Sequence, residues 1–244
     1  MSRPAGPPDP GRGLYETVLV AAGGPVQLER HLDRLAASVR ELFGAELPAR
    51  LPGDVARAAD ELELGRLRID VEPDGAGGLR HTVAATAIDP AAFFADWEHG
   101  EALRSVSAAG WWGAHKWSDR GWLEATEAEL GAEVPLLVDA EGRVLEAGRA
   151  NLFVVADGGL ATPPADGRIL PGTARAATLE IAAELGIDAG ERPLTLADLR
   201  AADEVFLTSS VKGLRPVRYL DGEELRRGEL TERLAAELRR RWLA

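Results

Sequence analysis

Only two lysines, Lys116 and Lys212, occur in a chain of 244 residues that otherwise carries its positive charge on arginine. Lys116 sits in Trp111-Trp112-Gly113-Ala114-His115-Lys116-Trp117. A guanidinium stays charged at any accessible pH, whereas a desolvated amine can lose its proton and condense with a carbonyl. An amine kept inside an aromatic cluster therefore points to a Schiff-base lysine; the plain alternative is a surface lysine. Four more segments carry residue types that would serve a phosphorylated aldehyde bound there. Leu170-Pro171-Gly172-Thr173-Ala174-Arg175 places a glycine before a helix start, which offers N–H groups and a favourable dipole to an anion. Its plain alternative is a chain break with Thr173 as the helix cap. Thr208-Ser209-Ser210 ends an apolar strand with three hydroxyls suited to phosphate oxygens, or is an ordinary polar turn. Arg34 in His31-x-x-Arg34 would grip a phosphate as a fork, or pair with a surface carboxylate. Glu146, at the end of Val144-Leu145-Glu146, would hold a ring nitrogen protonated and so favour carbanion chemistry, or be a solvated edge-strand residue.

These residues need a scaffold, and the pattern supplies one. Leu14–Ala21 reads as a strand, with Gly23-Gly24 as a turn and Pro25–Leu28 as a short return strand. Leu32, Leu35, Ala36, Val39 and Leu42 recur at helical spacing over Glu29–Phe43, and Gly44 ends that helix. A second helix is predicted over Gly53–Leu64, strands over Leu67–Val71 and Leu79–Ile88 around a glycine-rich turn, a loop or short helix over Pro90–Gly100, and a strand over Leu103–Ala108. Beyond a pause come a helix over Asp119–Leu130 and strands over Val134–Val138, Arg143–Glu146 and Asn151–Ala156. A helix over Thr173–Leu185, strands over Glu204–Leu207 and Arg215–Tyr219, and a closing helix over Glu229–Trp242 complete the chain. Helices and strands mix without strict alternation, which predicts an α+β (mixed α/β) fold rather than a doubly wound nucleotide fold. The expected division is a flexible Pro/Gly-rich lead over 1–13, a small α/β domain over 14–108, a linker over 109–115 and a large mixed-sheet domain over 116–244.

Composition narrows the function. An apolar share of 45% is enough for a sizeable core. A net charge of -12 argues against a nucleic-acid or anionic-membrane partner, which needs a basic face. No cysteine is present, so disulfides, thiolate metal sites and a Cys nucleophile are excluded. The four histidines are scattered, and no metal site is expected. No segment reads as a signal peptide or membrane span, which makes the cytoplasm the default expectation.

In order and spacing the motifs resemble the class IV aminotransferases, pyridoxal 5'-phosphate enzymes of fold type IV that include branched-chain and D-amino-acid aminotransferases and 4-amino-4-deoxychorismate lyase. The resemblance runs from about Leu14 to Gly222. It is carried by Gly13-Leu14-Tyr15-Glu16-Thr17, His31-Leu32-Asp33-Arg34-Leu35, Lys116-Trp117-Ser118-Asp119-Arg120, Glu146 through Asn151-Leu152-Phe153, Leu170 to Arg175, and Ala202 to Ser210. It implies a two-domain, D-amino-acid aminotransferase-like fold and a homodimer acting on a small-molecule amine. Lys116 would be the imine lysine and Glu146 the partner of the pyridinium nitrogen. Arg34, the backbone at Thr173 and Ala174, and Ser210 would hold the phosphate, and Tyr15 would line the substrate side. Lys116-x-x-Asp119-Arg120, Ala150-Asn151-Leu152-Phe153 and Thr17, which falls where the lyase has a proton-handling threonine, are similar to the lyase. Leu19 stands where several relatives have a substrate-binding Arg, and Ala174 where many carry a second hydroxyl. An amino-acid aminotransferase is the alternative activity, and a non-catalytic phosphate-binding module a remote one.

Overall fold

The computed structural model describes residues 6–90, 98–108, 110–111 and 113–243. Trp112, position 109 of the expected linker and most of the segment expected over 90–100 lie outside the described residues. The described residues fall into two compact units. The first takes residues 8–90, 115–120 and 241–243; the second takes 6–7, 98–108, 110–111, 113–114 and 121–240. Residue 115, expected in the linker, and residues 116–120, expected to open the large domain, thus group with the first unit.

In the first unit, strands β1 (Leu14–Ala21), β2 (Gly24–Pro25), β3 (Gly65–Pro73) and β4 (Leu79–Ala87) form an antiparallel sheet in the order β2-β1-β3-β4. Side chains alternate along a strand, and one face collects Leu14, Val18 and Val20 from β1 with Leu67, Ile69 and Val71 from β3. Helix α1 (Leu28–Phe43) covers that face with Leu35 and Val39, and α2 (Leu51–Ala59) with Val55 and Ala59. Burial of each of the Val, Leu and Ile side chains contributes roughly 1.5–3 kcal/mol. Gly44 ends α1 in the left-handed region at φ 62, where a residue without Cβ is at ease. Helix α2 begins earlier than its expected start at Gly53, because Pro52 is tolerated in a first turn. It also stops short of Leu64. Within the lead expected to be flexible, Pro10–Arg12 form a 3-10 turn whose first N–H groups are capped by Asp9. Gly13 follows at φ 73, where a Cβ would collide with the backbone of Val71 and Glu72.

The second unit is built on a longer sheet. Its strands are β5 (Glu101–Ser107), β6 (Val134–Val138), β7 (Arg143–Ala147), β8 (Asn151–Ala156), β9 (Gly159–Thr162), β10 (Ala189–Glu191), β11 (Leu194–Thr195), β12 (Glu204–Ser209), β13 (Gly213–Leu220) and β14 (Glu223–Glu224). Their order is β10-β9-β8-β12-β13-β5-β6-β7-β11, with β14 beside β13. Parallel pairs (β5 with β6 and with β13) sit among antiparallel ones. This mixed sheet is the α+β organisation expected from the sequence. Leu152 and Val154 of β8 and Val205 and Leu207 of β12 face one core. On the opposite face Phe153 stacks on Phe206 with centroids 5.0 Å apart. Helices α3 (Gly121–Leu130), α4 (Thr173–Glu184), α5 (Leu196–Ala201) and α6 (Leu230–Trp242) complete the described helices. Among the described residues, no helix is long and apolar enough to cross a membrane.

Candidate active site

Lys116 is held in the first unit by backbone pairing against β1. The Tyr15 N–H donates to the Lys116 carbonyl at 2.9 Å, and the Ser118 N–H to the Gly13 carbonyl at 3.0 Å. Trp117 forms a bridge with Leu14 and buries its ring in the core under α1. Trp117 is therefore an anchor for the lysine. Flanking contacts tie the same segment down. His115 Nδ1 lies 3.0 Å from Ser38 Oγ on α1, and Asp119 accepts from the Asp9 N–H at 2.9 Å and from Arg12 at 3.4 Å.

So fixed, the Lys116 Nζ lies 4.6 Å from the centroid of the Tyr15 ring. Arg68 stacks on the same ring with Cζ at 3.6 Å, and Arg120 approaches to 5.7 Å. Tyr15 itself is only 4% exposed. The cations favour the ring's electron-rich face. Burial pushes the Lys116 pKa down, and Arg34 and Arg120 push it the same way, while Tyr15 and Glu16 oppose them. The lysine is thereby shifted towards a neutral, nucleophilic amine. Thr17 follows on the same strand face as Tyr15, opposite Arg68 in register. Arg68 Nε and Nη2 hold Asp70, with the closest approach 2.6 Å.

Arg34 projects from α1 onto the carboxylate of Glu16, with Nε to Oε1 at 2.8 Å and Nη2 to Oε2 at 2.8 Å. His31 Nδ1 meets Oε2 at 2.8 Å. Glu16 and His31 are each 1% exposed. Burial raises the Glu16 pKa, but Arg34 and His31 outweigh it and leave it lowered to about 2. Arg34 is thus neither a solvated surface residue nor a lone cation; it is half of a buried ion pair.

The second unit holds the other candidates. Glu146, near the end of β7, is 5% exposed and is met by three donors. These are Trp111 Nε1 at 3.0 Å, the Leu170 N–H at 3.2 Å and Asn151 Nδ2 at 3.3 Å. Asn151 Nδ2 also donates to the Leu170 carbonyl at 2.9 Å, locking the turn that precedes α4. Two glycines permit this packing. A Cβ at Gly172 would strike Asn151 Oδ1, and one at Gly113 would strike the Arg168 carbonyl. Gly172 is the N-cap of α4 and supplies no side-chain cap, so Thr173 is the first helical residue rather than the cap. Thr173 and Ala174 open the helix at 5% and 2% exposure. Ser210 lies partly buried in the turn after β12, while Lys212 is exposed. Thr208, opposite Asn151 in register, is 2% exposed, and its hydroxyl has no hydrogen-bond partner among the described residues.

Sequence reasoning missed Glu16 and the link through Asn151. Glu16 lies in an apolar run whose two faces are both hydrophobic, so its parity with Val18 and Val20 was the available signal. Asn151 was visible only as part of a motif. Trp111 is the indole donor to Glu146, and its ring lies 5.8 Å from that of Trp122.

The model of the family described as amino-transferase class IV matches residues 13–220. The branched-chain-amino-acid aminotransferase of Escherichia coli K12 is 38% identical over 107 residues, which cover 43% of this chain and 35% of that protein. The chain therefore spans about a third of that curated relative's length. A crystal structure of 4-amino-4-deoxychorismate lyase from Pseudomonas aeruginosa superposes with a TM-score of 0.84 at 29% identity, covering 100% of this chain and 98% of that one. The PLP-bound form of a hypothetical aminotransferase from Mycobacterium tuberculosis gives a TM-score of 0.84 at 26% identity, covering 96% and 89%.

Proposed function

The chain belongs to the class IV aminotransferases, and on that premise we propose that it is a pyridoxal 5'-phosphate enzyme whose reaction is the elimination of pyruvate from 4-amino-4-deoxychorismate, yielding 4-aminobenzoate for folate. The cofactor is that of the family, one structural relative of which is a PLP-bound form. The residues fit it. A buried carboxylate, an N-terminus of α4 capped by a bare glycine, a buried Thr208 hydroxyl with no partner among the described residues and a lysine of depressed pKa are groups suited to such a molecule. Bound pyridoxal phosphate supplies an aldehyde for amines and a protonated ring that draws electrons from the α-carbon.

The roles of this chain's residues follow. Lys116, as neutral amine, takes the α-proton of the substrate. Glu146, fixed by Trp111, Asn151 and Leu170, holds a proton at the ring nitrogen. Arg34, the first N–H groups of α4 at Thr173 and Ala174, and Ser210 bind the phosphate. Tyr15 lines the substrate side, and the Thr17 hydroxyl handles the proton in the elimination. A homodimer and a cytoplasmic location belong to the same proposal and are carried by the family resemblance.

The observation that carries the lyase is the end-to-end superposition on the Pseudomonas aeruginosa lyase, together with the Lys116-x-x-Asp119-Arg120 and Ala150-to-Phe153 motifs. The 38% identity to the Escherichia coli enzyme favours a second activity, amino-acid transamination. Supplying 4-amino-4-deoxychorismate and assaying 4-aminobenzoate and pyruvate tests the first. Supplying alanine, glutamate or branched-chain amino acids with keto acids tests the second. Turnover of amino acids without any 4-aminobenzoate would replace the lyase by the aminotransferase.

A further inference from the structure

Glu16 has no role in the chemistry above, yet it is buried beside a residue that does. A carboxylate 1% exposed is costly to place in a core. Replacing a buried ion pair by apolar residues of similar volume is often neutral or stabilising, so stability alone is a weak reason to keep one. The geometry supplies a stronger one. Glu16 engages Arg34 through Nε and Nη2, both at 2.8 Å, which fixes the plane and rotation of the guanidinium. The opposite edge, with Nη1, is turned away from the carboxylate. His31, one turn earlier on α1, braces Oε2 at 2.8 Å, and the Thr17 N–H adds a contact to the same oxygen at 3.2 Å. The carboxylate is therefore itself held from two elements, α1 and β1.

We infer that Glu16 is a positioning residue that orients the Arg34 guanidinium for the phosphate of the cofactor. The inference rests on the cofactor assignment proposed above. Glu16 acts through geometry against its own charge, because a carboxylate near a phosphate dianion is by itself repulsive. That opposition makes the roles separable. A carboxylate that merely neutralised Arg34 would weaken phosphate binding, and its removal would strengthen it.

The experiment measures the dissociation constants of the apoprotein for pyridoxal 5'-phosphate and for pyridoxal, which lacks the phosphate. Wild type is expected to prefer the phosphorylated compound. Glu16→Gln, and Glu16→Asp, which keeps the charge one methylene short of the fork, are expected to cut that preference by about 10- to 100-fold, the size usual when the group orienting a ligand-holding side chain is lost. Affinity for pyridoxal should hold. In an Arg34→Met background, Glu16→Gln should leave the preference unchanged. That background also relieves the unpaired buried charge should the single Gln variant fold poorly. Parallel loss of both affinities, a preference that stays or rises in the Glu16 variants, or a Glu16 effect that persists without Arg34 would each overturn the inference. A wild type that binds neither compound would instead remove the cofactor assignment itself.

Discussion

Glu146 and Trp111 are joined by a 3.0 Å hydrogen bond in which the indole N–H donates to Oε1. With Asn151 and the Leu170 N–H on Oε2, the carboxylate is held at both oxygens by the unit that also carries the start of α4. An acceptor so fixed suits the proposed role of holding a proton on a ring nitrogen. Glu146→Gln keeps the shape and removes the charge. Turnover is expected to fall by about 100-fold or more, in the range of a lost acid–base partner, with cofactor affinity changed little. Steady-state kinetics on the cofactor-saturated enzyme measure this. Near-wild-type turnover would take Glu146 out of the chemistry.

Gly172→Ala drives a Cβ into Asn151 Oδ1. Asn151 must then give up its bonds to Glu146 and to the Leu170 carbonyl, or the turn must move. A loss of about 1–3 kcal/mol is expected, as for an overpacked core, measured by urea unfolding of the apoprotein. Gly190→Ala, where no described residue lies within 4 Å of the new Cβ, is the control and should be near neutral.

Acid should protonate Glu16 late in the folded state. Its folded pKa of about 2 lies below its ordinary 4.5. The stability that depends on its charge is therefore complete above 4.5 and is lost as pH falls towards 2. The shift corresponds to about 3 kcal/mol. Urea midpoints at about pH 5 and about pH 3 should drop more for wild type than for a Glu16→Gln/Arg34→Met double variant, which lacks the pair. Equal drops would show that other carboxylates govern the acid limb.

Trp117 couples the core to the lysine. Truncation to Ala is expected to cost about 3–5 kcal/mol, as for a buried Trp. It should also loosen Lys116, whose carbonyl is bonded to the Tyr15 N–H beside the Leu14–Trp117 bridge. Comparing the loss with that of Leu67→Ala, from the same core but not next to the lysine, separates the effects. If both variants lower the reactivity of Lys116 alike at matched stability, the anchoring role is wrong.

Much of this was written in the pattern. The strands at Val134–Val138 and Asn151–Ala156 and the starts and stops of α1 and α4 followed from period and punctuation, to within a residue. The short strands β9, β10, β11 and β14 did not, because two to four residues carry no measurable alternation. Helix α5 was missed for its length, although its capping box at Thr195 and Asp198 was there to be read. The grouping of 115–120 with the first unit is set by backbone bonds to Gly13 and Tyr15, which leave no trace in side-chain periodicity. Lys116 stood out because the chain uses arginine elsewhere. Glu16 did not, since one carboxylate in Leu14–Ala21 looks like a solvent-facing residue until His31 and Arg34 are seen above it.

The covalent assignment of Lys116 can be measured directly. The protein is incubated with pyridoxal 5'-phosphate, reduced with borohydride, digested and mapped by mass spectrometry. One reduced pyridoxyl phosphate group is expected on the peptide containing Lys116, with none in Lys116→Ala. A label on Lys212, or a wild type that emerges without any, would contradict the proposed chemistry.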